Sequence, residues 1–145
     1  MIHAEQLTRT YQIGTQRIEA LVRISLTIQE GERTAIIGRS GSGKSTLLNL
    51  LAGLDRPSEG SLMVHNQRLE DISRNQMAEY RLRTIGVIFQ SFQLVPQRTA
   101  LQNVELPLIL SGVDRIQRQT IAKDWLSKVG LLGRQHHLPS QLSGG

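Results

Sequence analysis

Gly38-Arg39-Ser40-Gly41-Ser42-Gly43-Lys44-Ser45-Thr46 sets three glycines ahead of a lysine and two hydroxyl side chains. The spacing is G-x-x-x-x-G-K-[ST], which cradles phosphates when it joins a strand to a helix. That setting is expected here. The apolar run Ala35-Ile36-Ile37 reads as the entering strand, and Ser45-Thr46-Leu47-Leu48-Asn49-Leu50-Leu51 as the departing helix. Glycines let backbone N–H groups turn inward around phosphate oxygens. The helix tip beside them adds roughly half a positive elementary charge. Lys44 is placed to reach β- and γ-phosphates, and the Ser45 hydroxyl to ligate Mg²⁺. The segment from Gly38 to Thr46 is therefore read as a nucleotide-phosphate site.

Composition narrows what such a site can belong to. The chain has 145 residues, enough for one domain with a real core, and no cysteine, which excludes disulfides and thiolate metal sites. No apolar run approaches the ~20 residues that cross a bilayer, and the first residues lack a secretory pattern. These features are read as a soluble, cytoplasmic polypeptide. Net charge is +5, yet the seventeen Lys and Arg residues are scattered and form no block of like charge. Tyr11, Tyr80, Phe89, Phe92 and Trp125 are too dispersed for a base-stacking platform, so no nucleic-acid partner is expected. A mildly basic solvated surface is the first reading; a patch facing anionic lipid or a membrane partner is the other.

Around the loop, the order of elements can be read. Ile2 to Thr10 suits a first strand with a turn at Gly14. Ile18, Ala20, Val22, Ile24, Leu26 and Ile28 alternate with polar residues, as in a strand with one buried face. Gln29-Glu30-Gly31-Glu32 reads as the next turn. Gly53 is a helix stop, residues 55–60 a connector, and Ser61 to Val64 a short strand turning at His65-Asn66-Gln67. Ile85-Gly86-Val87-Ile88-Phe89 is expected to be a buried strand ending at Gln90. Three helix starts follow capping-box spacing: Ser73 with Gln76, Thr99 with Gln102, and Asp114 with Gln117 as an aspartate variant. In the last helix Ile121, Ala122, Trp125, Leu126 and Val129 share a face, which makes Trp125 a core anchor. Strand character gives way to helix near Phe92.

Four features now fall in one order: Tyr11, the phosphate loop, Ile88-Phe89-Gln90, and Leu142-Ser143-Gly144-Gly145. Over all 145 residues the chain resembles the nucleotide-binding subunit of ATP-binding-cassette (ABC) transporters. Gly53-Leu54-Asp55-Arg56-Pro57-Ser58-Glu59-Gly60, Phe89-Gln90-Ser91-Phe92-Gln93-Leu94-Val95-Pro96 and Thr99-Ala100-Leu101-Gln102-Asn103-Val104 look like the lipoprotein-releasing and macrolide-exporter branch. The resemblance implies an α/β P-loop NTPase fold with a β-rich N-terminal part, a parallel core sheet and a helical subdomain. Residues 1–91 would be the nucleotide-binding core, residues 92–145 the helical part, and the core would be incomplete at its C-terminal side.

By the same resemblance, ATP with Mg²⁺ is held by Gly38, Arg39, Ser40, Gly41, Ser42, Gly43, Lys44, Ser45 and Thr46. Tyr11 would stack on adenine; packing at a strand edge is its other reading. Gln90 would touch Mg²⁺ or the attacking water. Ser143, Gly144 and Gly145 would cap the γ-phosphate of a second, head-to-tail subunit. Ser91 to about Val104 would contact an integral membrane subunit, placing the protein peripherally on the inner face of the cell membrane. Phe92, Leu94 and Val95 suit that contact and suit equally a place under the helices.

The catalytic carboxylates of this family follow the signature, and none is found here. Glu70-Asp71 is no substitute, and His136 and His137 are read as loop residues. ATP hydrolysis is therefore expected to be absent from this polypeptide alone, since general-base help is typically worth 10²–10⁴-fold. A non-catalytic nucleotide-binding fragment and a soluble ABC ATPase are the alternatives.

Overall fold

Ile2–Ile13 (β1) and Gln16–Ile28 (β2) form an antiparallel hairpin closed at Gly14, as its positive φ of 60° allows. Glu59–Val64 (β3) pairs on the other side of β1, and Gln67–Arg68 (β4) on β3, giving the order β2-β1-β3-β4. His65 and Asn66, with φ of 47° and 65°, make the two-residue turn between β3 and β4. The computed structural model describes residues 1–142. These form two compact units, Met1–Val87 and the residues from Ile88 onward.

Simple alternation does not survive along the hairpin. β1 carries an extra residue between Ala4 and Leu7 against β2 and between Glu5 and Thr8 against β3, and Gln6 has a left-handed φ of 47°. β2 answers with a bulge near Arg23, whose φ is 48°. Each bulge swaps the faces of the residues beyond it. Ala4 and Leu7 therefore both face the core, as does Leu21, while Val22 is 53% exposed and Ile18 43%. The period of two read from Ile18 to Ile28 holds only from Ile24 onward. Gly60 lies against the Gln6 carbonyl so closely that a Cβ would collide with it.

Lys44–Leu51 (α1) turns Leu47 and Leu50, one helical turn apart, into this core. Gly53, at φ +64°, ends it, and a Cβ there would meet Met77 and Tyr80. Arg74–Arg83 (α2) starts on a complete Ser73–Gln76 capping box and buries Met77 and Tyr80. The Tyr80 hydroxyl donates to the Leu51 carbonyl at 2.7 Å, fastening α2 to the end of α1.

Two expected strands do not form. Residues 35–37 and 85–89 lack ladder partners among the described residues, and Ile37 and Ile88 are 90% and 101% exposed. A strand needs a neighbour for its N–H and C=O groups. The sheet that the described residues do form is antiparallel throughout.

In the second unit, Ala100–Leu110 (α3) and Arg115–Lys128 (α4) pack through Ala100, Leu101, Ala122 and Leu126. Thr99 and Gln102 form a full capping box, whereas Asp114 caps α4 alone, accepting from Ile116 and Gln117. Asn103 reaches back from α3, accepting from the Val95 N–H and donating to the carbonyls of Val95, Arg98 and Thr99. Trp125 is not a core anchor: it is 55% exposed, with the Lys128 ammonium 4.5 Å from its ring centroid. The buried stripe of α4 is Ala122 and Leu126 at i,i+4, and Trp125 falls to one side of it.

Burial raises the Tyr80 hydroxyl pKa from 10.0 to about 12. The folded state thus keeps a proton that the unfolded chain releases, so stability is lost as pH rises from about 10 towards 12. Denaturant titrations across that range are expected to show this fall, and Tyr80→Phe to flatten it while lowering stability near neutrality.

Candidate functional site

The phosphate loop is shaped by backbone that only glycine tolerates. Gly41 and Gly43 have φ of +78° and +87°, and a Cβ on Gly38 would come within 2.6 Å of Ser42 Oγ. Gly43 is also pressed against β2: a Cβ there would lie 2.5 Å from the Ala20 carbonyl oxygen and 2.7 Å from Leu21 Cδ2. Gly43 is the N-cap of α1 and contributes no side chain, and the first turn of the helix holds no acidic residue. The leading N–H groups of α1 therefore lack a side-chain acceptor, and the positive end of the helix faces open space.

Lys44 folds back over this bend. Its Nζ donates to the carbonyls of Gly38 at 2.8 Å and Arg39 at 2.6 Å, with Ser42 Oγ at 3.4 Å. The ammonium thus sits among acceptors of its own loop, close to where an incoming oxyanion would meet it. Ser40 to Thr46 line a cavity of about 590 Å³ whose other wall is Ile18, Glu19 and Ala20 of β2. That volume is ample for a phosphate chain and the ribose beside it. Two positive features and glycine amides without Cβ cover fit a polyphosphate, and a hydroxyl on the first turn fits its Mg²⁺.

The residues expected elsewhere in the site are placed as follows. Tyr11 pairs with Ile18 across the β1–β2 ladder, and Ile18 lines the cavity. Its hydroxyl donates to Asp55 Oδ2 at 2.8 Å, and the Arg9 guanidinium carbon lies 4.5 Å from its ring centroid. Gln90 stands exposed at a bend in the second unit. Ser143, Gly144 and Gly145 lie outside the described residues. Sequence reasoning missed Ile18, Glu19 and Ala20 as cavity wall and Arg9 and Asp55 as the partners of Tyr11. Ile18, Glu19 and Ala20 arrive by strand pairing and Asp55 by a contact spanning more than forty positions, whereas Arg9 stands two residues from Tyr11 on the same strand.

The model of the ABC transporter family matches residues 21–145. The chain belongs to that family. It is 43% identical over 145 residues to the lipoprotein-releasing system ATP-binding protein LolD of Chromohalobacter salexigens, covering all of this chain and 61% of the relative. It is 46% identical over 139 residues to the macrolide export ATP-binding/permease protein MacB of Pectobacterium atrosepticum, covering 96% of this chain and 21% of that one. Among solved structures, the dimeric ATP-binding cassette MJ0796 in a post-hydrolysis state bound to ADP and Pi superposes with a TM-score of 0.89. It is 40% identical, over 99% of this chain and 64% of that one. The chain thus spans about three fifths of the length of the LolD and MJ0796 relatives.

These matches establish the ABC ATPase fold, and with it a resemblance to both LolD and MacB ATP-binding proteins. The hairpin, α1 and the helical unit are its described parts. Gly43→Ala tests the geometry of this cassette's loop directly. A left-handed non-glycine residue costs about 1–3 kcal/mol, and the added methyl must also displace Ala20 or Leu21. Thermal unfolding is expected at lower temperature, with loss of nucleotide affinity greater than the stability change alone produces.

Proposed function

We propose that this chain holds MgATP as the nucleotide-binding part of an ABC transporter of the lipoprotein-releasing or macrolide-exporting kind. The observation that carries the reading is the Lys44 ammonium folded into a glycine bend at an uncapped helix tip. An arriving triphosphate supplies stronger acceptors than the Gly38 and Arg39 carbonyls, so Lys44 exchanges neutral partners for charged ones. Ser45 ligates Mg²⁺, and the amides from Gly41 to Thr46 surround the β-phosphate. Tyr11 offers adenine the ring face that Arg9 leaves open.

In this reading residues 1–91 are the nucleotide core and residues 92–145 the helical part. Gln90 senses the γ-phosphate, and Ser91 to Val104 pass its state to an integral membrane subunit. The Asn103 bonds to Val95, Arg98 and Thr99 keep that stretch in one shape. Ser143, Gly144 and Gly145 act on ATP held by a second subunit in a head-to-tail dimer, at the inner face of the cell membrane. Turnover requires an activating carboxylate, and we assign none within these 145 residues.

Lys44→Ala should weaken MgATP binding, read by calorimetry or a fluorescent nucleotide, by about ten- to hundredfold. That is the scale of one charged hydrogen bond, about 1.5–3 kcal/mol. Gln90→Ala should leave affinity within about threefold and reduce nucleotide-dependent binding to the membrane subunit. Unchanged affinity in Lys44→Ala would remove the phosphate-loop reading.

A further inference from the structure

A second cavity of about 430 Å³ opens in the first unit, away from the phosphate loop. Its lining includes four arginines drawn from three elements: Arg9 of β1, Arg56 of the connector, and Arg74 and Arg81 from the two ends of α2. One carboxylate, Asp55, shares the cavity, and it is already saturated. Its Oδ2 accepts from Arg9 Nε and the Tyr11 hydroxyl, both at 2.8 Å. Its Oδ1 accepts from Arg9 Nη2 and the Arg56 N–H, again at 2.8 Å.

The other guanidiniums lean on neutral groups. Arg56 donates to the carbonyls of Ile72 at 2.6 Å and Glu70 at 3.4 Å, and Arg81 to that of Gly53 at 2.7 Å. Those bonds fix the side chains in place and leave their charge unbalanced. Arg74, exposed at the first position of α2, makes no ion pair among the described residues. Cations gathered in a concave site with protein walls focus a positive potential on its interior. Guanidinium forks held this way match planar oxyanions in bidentate fashion.

The remaining wall is apolar. Met77 is 4% exposed and forms part of the lining, while Leu54 beside it is 48% exposed. A carboxylate carried on methylenes, with apolar neighbours, satisfies both parts of the surface. The arginines stand beside Met77 and Leu54 in one lining, so charge and apolar surface are offered together, as the carboxylates and apolar residues of one amphipathic helix face would meet them. We propose that this cavity receives the carboxylate side chains of an acidic, amphipathic segment from a partner protein. The proposal goes beyond the nucleotide reading and needs no nucleotide to be bound.

The test uses the full chain and a fluorescein-labelled synthetic helix of leucine and alanine bearing two glutamates at i,i+4. Anisotropy at low salt should show saturable binding that weakens with added salt. The same peptide with glutamines, or Arg74→Glu in the protein, should weaken it by about tenfold or more. Arg74→Glu sits in the first helical turn, where a carboxylate is favoured by the helix dipole. Its unfolding temperature should not fall, so lost binding cannot be ascribed to lost fold. Lys44→Ala should leave the peptide affinity unchanged, which separates this cavity from the phosphate loop. Equal or absent binding of the two peptides, or an unaltered affinity in Arg74→Glu, overturns the proposal. Sedimentation with phosphatidylserine vesicles in the absence of peptide binding overturns it too, in favour of a lipid headgroup.

Discussion

Gly43 touching the second strand is the constraint from which the first unit takes its form. Because no Cβ intervenes, the loop passes directly over the Ala20 carbonyl and the Leu21 side chain. That approach sets where α1 begins, and therefore where its positive end points. It also makes β2 a wall of the cavity, through Ile18, Glu19 and Ala20. The bulge near Arg23 belongs to the same arrangement. By shifting register it turns Leu21 inward, where it supports the loop from beneath, instead of leaving it on the solvent face. Leu47 and Leu50 then seat the helix on the sheet. Loop, helix and hairpin are thus mutually required.

What was legible in the chain was local. The G-x-x-x-x-G-K-[ST] spacing placed the loop, the serine and threonine caps marked α2 and α3, and Gly53 marked the end of α1. Each of those signals acts within a short stretch of chain, and each is decided by backbone geometry that the side chain itself imposes. The less legible features depend on residues far away. Gln6 and Arg23 carry no mark of a bulge, since nothing about glutamine or arginine favours a left-handed backbone. The faces of β2 could not be read past that point.

Trp125 shows a different limit. Its spacing from Ile121, Ala122 and Leu126 is right for a buried face, but helical periodicity gives the direction of a stripe and not its covered width. The partner helix α3 covers Ala122 and Leu126, and Trp125 is left to rest under Lys128. Tyr11 is the converse case. As a lone aromatic on an edge it offered two readings, and the structure supplies a third set of facts: its hydroxyl is spent on Asp55 and one ring face on Arg9. A base stacking there would meet a ring whose orientation is already held, so little side-chain entropy is lost on contact.

The segments 35–37 and 85–89 carry this reasoning one step further. Apolar composition says where a stretch is bound to end up, because Ile36, Ile37, Val87 and Ile88 gain free energy only on leaving water. Pairing decides whether it is a strand, and pairing is supplied by another piece of backbone. In these residues the two properties separate: Ile37 and Ile88 are almost fully exposed, and no ladder reaches them among the described residues. The hairpin of β1 and β2 needs no such help, since its partner lies two residues away across Gly14. Local contacts close early and at small entropic cost, whereas a parallel pairing must first bring distant chain together. The antiparallel sheet of the described residues accordingly lies within residues 2–68, and the glycine loop leans on it through Gly43.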